Sequence, residues 1–180
     1  MSKKLHLGCG NVHLEGWINI DFNETPAVDL VEDISTLKSI EDNSATIVYA
    51  CHVLEHFGLE RNTEQPRTID VLTRWYNILK PGGELYVAVP DLMVVFQGIQ
   101  NNFYNDFIVQ EFIQACFGGQ NYKGNTHYNG FTSARLSSIL RRVGFTNIDR
   151  FEPFVQDTSS MILHGLPISL NIKASKPLNT

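Results

Sequence analysis

The residues most able to do chemistry fall at the ends of short apolar runs. Leu5-His6-Leu7 leads straight into Gly8-Cys9-Gly10-Asn11. Glycines at a strand end let the backbone pass close to a ligand with no Cβ in the way. Trp17 to Ile20 leads into Asp21. A carboxylate there can accept hydrogen bonds from both hydroxyls of a ribose, or it can close a turn. Val28 to Val31 leads through Glu32 into Asp33-Ile34. Asp33 can accept from an adenine amino group while Ile34 packs on the ring, or it can cap a short helix through Leu37. Each site alone is a common turn. Three of them closing three successive strands are far more specific.

Histidines supply the next candidates. His52-Val53-Leu54-Glu55-His56 reads H-x-x-E-H, a zinc-peptidase pattern in which two histidines share a metal and the glutamate activates water. Two features weigh against it: Phe57-Gly58 follows at once, so a long metal-binding helix is not expected, and no third ligand stands at a recognisable spacing. The sequence therefore assigns no metal. His127, in the polar stretch Gly124 to Phe131, is a candidate base or acceptor-orienting group. Cys9 and Cys51 close strands expected to be neighbours, where inert packed thiols are the ordinary outcome.

These residues need a frame. The chain has 180 residues, 43% apolar and 18% charged, with a net charge of −5. That suits one domain over residues 1–180 with its own core, and it excludes disorder as the main state. The longest apolar stretch, near Leu92 to Phe96, is far too short for a membrane span. Met1 to Leu5 lacks a signal-peptide pattern, and three cysteines, an odd number, suit reduced thiols. A cytoplasmic protein is the expectation. The acidic balance disfavours nucleic acid as the main partner.

Strands are expected at Leu5–Leu7, Trp17–Ile20, Val28–Val31, Thr46–Cys51, Glu84–Val89, Asn147–Phe151 and Ser169–Ala174. Ile69, Leu72, Tyr76 and Leu79 recur at helical spacing until Pro81-Gly82-Gly83 stops them. A second helix runs from a Thr132 or Ser133 cap through Leu136, Ile139, Leu140 and Val143 to Gly144. Strands alternating with helices imply a doubly wound, mostly parallel α/β sheet, whose ligands sit at the carboxyl ends of the strands.

In order along the chain, LHLGCGN (5–11), INIDF (18–22), EDI (32–34), IVYACHVLEHF (47–57), LKPGGELYVAVPD (79–91) and LRRVGFTNI (140–148) resemble the motifs of class I S-adenosylmethionine-dependent methyltransferases. Gly118 to Phe131 is also similar to a segment of small bacterial and phage members. The resemblance implies a Rossmann-like seven-stranded sheet with its last strand antiparallel. It implies S-adenosylmethionine as cofactor, held by Gly8, Cys9, Gly10, Asn11, Asp21, Phe22, Asp33, Ile34, Ala50, Cys51 and His52. His127 and His52 are the catalytic candidates it leaves. The implied reaction is methyl transfer to a small-molecule or sugar-like acceptor. The alternative is a catalytically inactive cofactor-binding or partner subunit. A nicotinamide enzyme fits less well, because the short first crossover offers no helix N-terminus to a pyrophosphate.

The chain departs from that family in three ways. His6 stands where an acidic residue is usual, two before the first glycine. Val12 follows Asn11 where a third glycine is usual. Only Asn11 to Gly16 and Phe22 to Ala27 connect strands one to two and two to three, too few for full crossover helices. One sheet face is therefore expected to be nearly bare. An insertion at about 91–130, rich in apolar groups, or a second subunit in a homodimer, is expected to cover it.

Overall fold

The computed structural model describes residues 3–61, 64–121 and 124–178. Tyr122 and Lys123, within the Gly118 to Phe131 segment noted above, lie outside the described residues. The strands are β1 (Lys3–Leu7), β2 (Ile18–Asp21), β3 (Leu30–Val31), β4 (Ala45–Cys51), β5 (Leu79–Pro90), β6 (Thr146–Arg150), the two-residue β7 (Ile162–Leu163) and β8 (Leu166–Pro167), and β9 (Ser169–Ser175). The helices are α1 (Thr68–Ile78), α2 (Leu92–Asn101), α3 (Asp106–Phe117) and α4 (Ser133–Val143). Seven strands form one sheet in the order β3-β2-β1-β4-β5-β9-β6, with β7 and β8 pairing separately. β9 runs antiparallel to both neighbours, and the pairings from β3 across to β5 are parallel. The expected Rossmann-like sheet with an antiparallel last strand is what forms.

The two helices read from periodicity are present, with informative ends. α4 starts at Thr132, whose side chain accepts from Arg135 N, and stops at Gly144 in the left-handed conformation. α1 ends at Ile78, and the chain turns directly into β5. Leu79 already pairs with Ala45; Lys80 to Gly83 loop out before Glu84 pairs with Ile47. Pro81-Gly82-Gly83 therefore interrupts the strand's register, while the helix expected to run through Leu79 up to it has already ended at Ile78.

α1 and α4 cover one face of the sheet. Val71, Leu72, Trp75 and Ile78 from α1, and Leu136, Ile139 and Leu140 from α4, share a core with Leu5, Leu7, Val48, Ala50, Leu85 and Val87. Residues 8–17 and 22–29 contain no helix, as their lengths require. Asn19, fully buried, ties these two short connections together instead. Its Oδ1 accepts from Leu14 N at 2.9 Å, and its Nδ2 donates to Asp29 Oδ2 at 2.8 Å.

The face without helices is covered from an unexpected direction. His6, Tyr49 and Tyr86 alternate with the core residues of their strands and point away from them. Residues 151–160, between β6 and β9, fold back over them. Phe154 packs on Tyr49, Tyr86, Trp17 and Phe151, with ring centroids 5.1 to 6.3 Å apart. Tyr49 is fully buried as a result. The insertion does not provide this cover. α2 and α3 pack on each other and build a second small core, Val95, Phe112 and Ile168, with Leu163 and Leu166 of the β7–β8 hairpin against it. An insertion after β5 emerges at the carboxyl end of the sheet, so it extends that end and leaves the face to the later connection.

Candidate functional site

β1 and β4 are neighbours, and the chain leaves them in opposite directions across the sheet. In open α/β sheets such a switch point opens a crevice beyond the carboxyl ends of the strands. A cavity of about 500 Å³ lies there, lined by His6, Gly8, Cys9, Val12, Cys51, His52, Gln156, Asp157 and Thr158. Its volume is within the ~300–1,000 Å³ usual for small-molecule sites.

The glycines differ in what they do. Gly8 has φ +66°, and a Cβ there would meet Val53 Cγ2 at 2.3 Å. Its small size serves packing of the chain onto itself. Gly10 has φ +55°, and a Cβ there would meet nothing within 4 Å. Its backbone N–H donates to Asp21 Oδ2 at 2.9 Å. Asp21 also accepts from Asn23 N through Oδ1 at 2.9 Å and is almost fully buried. Two backbone donors hold its carboxylate, and each oxygen keeps a second lone pair.

Of the expected cofactor residues, Gly8, Cys9, Cys51 and His52 line the cavity. Gly10 and Asp21, bonded to each other at the end of β2, are not among the lining residues. Phe22 is 61% exposed beyond them, and Asn11 is exposed. Asp33 is exposed and accepts from Ser35 N at 2.8 Å, closing a turn; the short helix of the alternative reading does not form. Ile34 packs in the main core, and its carbonyl accepts from Trp75 Nε1 at 2.9 Å. Ala50 is fully buried in the same core.

Gln156, Asp157 and Thr158 are the residues sequence reasoning missed. Their only signal is a polar run, Gln156 to Ser160, between Phe154 and Met161. Asp157 accepts from Tyr49 Oη at 2.6 Å and from Ser159 N at 2.8 Å. Thr158 Oγ1 meets Cys51 Sγ at 3.2 Å. Burial pushes the Cys9 thiol up to about 11 and the Cys51 thiol up to about 12. Both thiols are protonated and inert at neutral pH.

The histidines form a second centre directly behind His52. His52 Nε2 meets Ser169 Oγ at 2.8 Å, and its Nδ1 lies 3.5 Å from Glu55 Oε1. His127 Nε2 lies 3.9 Å from the same oxygen. The rings of His56 and His127 are 4.9 Å apart, edge to face. Burial drives the pKa of His52 and of His127 down to about 4 and lowers that of His56. Burial pushes the Glu55 carboxyl up to about 8. His127, expected beside an acceptor, thus sits in this buried group, and it is not among the residues lining the cavity.

Residues 5–87 match the protein family described as Methyltransferase domain. Solved structures extend the likeness to nearly the whole chain. A S-adenosylmethionine-dependent methyltransferase of Archaeoglobus fulgidus is 19% identical with a TM-score of 0.60, covering 97% of this chain and 86% of that one. One from Thermotoga maritima is 15% identical with a TM-score of 0.60, covering 98% and 82%. One from Methanosarcina mazei is 17% identical with a TM-score of 0.59, covering 98% and 93%. At these identities the structures speak for the fold, while the family match speaks for the sequence. No protein with a curated description matches the sequence. Residues 5–87 thus carry the likeness to the methyltransferase-domain family, and the fold over nearly the whole chain is that of S-adenosylmethionine-dependent methyltransferases.

Proposed function

We propose that this chain binds S-adenosylmethionine in the cavity between the ends of β1 and β4 and transfers its methyl group to a small-molecule or sugar-like acceptor. The observation that carries the reading is the switch-point cavity itself, with Gly8 and Cys9 on one wall, Cys51 and His52 on the other, and Asp21 held at the next strand end. The lining fits the cofactor. Open space off Gly10 leaves room beside the Asp21 carboxylate for a ribose. No helix begins after β1, and a sulfonium cofactor, having no phosphates, asks for none.

Asp157 supplies a carboxylate to the same cavity wall as His6, where the family's usual acid is absent. We assign it the cationic methionine end, since a carboxylate in a partly enclosed cavity favours a positive group. Asn11, Phe22, Asp33, Ile34 and Ala50 would act at one remove, by shaping the adenine and ribose end.

When bound, S-adenosylmethionine supplies an electrophilic methyl group. The protein's part is to position an acceptor in line with it and exclude water. His52 stands at the cavity edge with its Nε2 held by Ser169 and its Nδ1 turned towards Glu55 at 3.5 Å, away from an acceptor, so its part is to orient. The acceptor's own acidity then decides whether a base is needed.

The reading takes residues 1–180 as one domain, acting in the cytoplasm on a partner other than nucleic acid, as the net charge of −5 favours. No helix among the described residues is long and apolar enough to cross a membrane. Self-association as a homodimer belongs to the same proposal. Exposed Met93, Phe96, Phe103 and Phe107 around α2 and α3 give it an apolar surface.

Calorimetric titration with S-adenosylhomocysteine tests binding, and transfer of labelled methyl into pooled small acceptors and nucleotide sugars tests activity. Binding with turnover supports the reading. Binding without turnover favours the inactive partner subunit. No binding overturns both.

A further inference from the structure

The group behind His52 has a chemical composition that the methyl-transfer reading does not use. Glu55 is 1% exposed, and neither of its carboxylate oxygens has a hydrogen-bond partner among the described residues. An unpaired buried carboxylate is costly, and such groups are ordinarily paired or bound to a metal. What surrounds it is not a set of donors.

Hydrogen bonding fixes the tautomers of His56 and His52. His56 Nδ1 lies 3.0 Å from the Thr126 carbonyl, which can only accept, so Nδ1 carries the proton and Nε2 carries the lone pair. Ser169 Oγ donates its single proton to Thr158 O at 2.6 Å, so it must accept from His52 Nε2. The His52 Nδ1 lone pair then points towards Glu55 Oε1. His127 Nδ1 is buried without a partner among the described residues, and its Nε2 faces the same carboxylate. The His52 lone pair thus faces this carboxyl group from one side and His127 Nε2 faces it from the other, with no hydrogen bond to it among the described residues.

We propose that Glu55, His56 and His127, with His52 Nδ1 as a further ligand, form a binding site for one divalent cation of the zinc, iron(II) or manganese class. One ligand atom from each of Glu55, His56 and His127 lies within 4.8 Å of the others. Two ligands each ~2.0–2.2 Å from a shared ion stand at most ~4.4 Å apart. The 3.5 and 3.9 Å separations of His52 and His127 from Glu55 Oε1 already meet that limit, and the widest pair closes with a small side-chain shift. Imidazoles with one carboxylate select a borderline transition ion over magnesium or calcium, which favour all-oxygen sets.

The outer shell has the form such sites use, with ligating imidazoles bonded through their other nitrogen. Thr126 O holds His56 and Ser169 holds His52. The two ligand-bearing segments are also locked together through the backbone. Tyr128 N and Asn129 N donate to Glu55 O at 2.9 and 3.1 Å, and His127 N donates to Phe117 O at 3.1 Å. The ion would fasten the Gly124 to Phe131 loop to the end of β4, immediately behind the cavity wall. His127 is the third ligand that spacing in the sequence could not reveal.

The test uses untagged full-length protein stripped with a chelator. Zn²⁺, Mn²⁺ and Mg²⁺ are titrated separately by calorimetry, metal content is measured after dialysis, and Co²⁺ loading is followed by its visible ligand-field bands. The expected result is one Zn²⁺ or Mn²⁺ per chain, an imidazole-type Co²⁺ spectrum and a raised melting temperature on loading. Glu55→Gln and His127→Ala each weaken binding by at least ~10-fold. His13→Ala, outside the cluster, leaves it unchanged. Glu55→Gln keeps the side chain's volume and removes its charge, so it decides the matter even if His127→Ala unfolds. Failure to bind any of the ions at one per chain, a preference for Mg²⁺, or affinity indifferent to Glu55→Gln overturns the proposal. None of these readouts depends on methyl transfer.

Discussion

Gly8 and Gly10 are one residue apart, both have positive φ, and replacing each with alanine should give different phenotypes. Placing a side chain in the left-handed region costs ~1–2 kcal/mol at either position. At Gly8 the new Cβ would also lie 2.3 Å from Val53 Cγ2. Val53 is itself buried between the β1 turn and the core, so it cannot simply swing away. Overpacking of this kind adds ~1–3 kcal/mol. Gly8→Ala should therefore lose about 3 kcal/mol, which for a chain of this length lowers the melting temperature by about 6–12 °C. Gly10→Ala should lose about 1 kcal/mol, or about 2–4 °C. Its Cβ meets no protein atom, so its main effect falls on the ligand: S-adenosylhomocysteine should bind at least ~10-fold more weakly, about 1.4 kcal/mol. Urea unfolding and calorimetry read the two effects separately. A double-mutant cycle with Val53→Ala should recover ~1–2 kcal/mol of the Gly8→Ala loss. Equal destabilisation by the two alanines, or zero coupling to Val53, would refute the assignment of Gly8 to packing and Gly10 to the ligand.

Other expectations follow from the same geometry. Asp21→Asn removes the charge that strengthens a bond to a ribose hydroxyl, so S-adenosylhomocysteine should bind about 10–100-fold more weakly by calorimetry; unchanged affinity would remove Asp21 from the site. Asp157→Asn should weaken the same titration by ~10-fold while leaving adenosine alone unaffected, because only the charged methionine end is lost. With its thiol pushed up to about 11, Cys9 is only about 0.1% thiolate at pH 8. Its alkylation by iodoacetamide, followed by mass spectrometry, should rise about tenfold per pH unit from 8 to 10, and a plateau below pH 9 would contradict the buried placement. Phe154→Ala opens the aromatic cover, so it should cost ~1–3 kcal/mol in urea and shift Trp17 emission to the red; neither change would mean residues 151–160 are not packed on the sheet.

The frame was legible because it rests on local chemistry. Apolar runs ended by Gly8, Asp21 and Asp33, the α1 periodicity, and the Thr132 cap with its Gly144 stop are all written within a few residues of where they act. The lengths of the first two connections predicted the missing helices by reach alone. The site was only half legible for the opposite reason. Gly8, Cys9, Cys51 and His52 follow directly from strand ends and do line the cavity. Ile34 faces the core instead of a ring site, because the burial it gains beside Trp75 is set by packing, which no local pattern displays.

What the sequence determined by itself was the class of fold and the ends of β1 and β4 as walls of a cavity, since these follow from periodicity, turn chemistry and chain reach. Tertiary structure alone decided what closes the helix-free face and what stands around Glu55. The cover comes from Phe154, which meets Trp17 and Tyr49 from more than a hundred residues away in sequence. His127 reaches Glu55 because a loop after α3 bonds back to the turn after β4. Such contacts depend on where the sheet brings distant segments together, and no spacing along the chain encodes that distance.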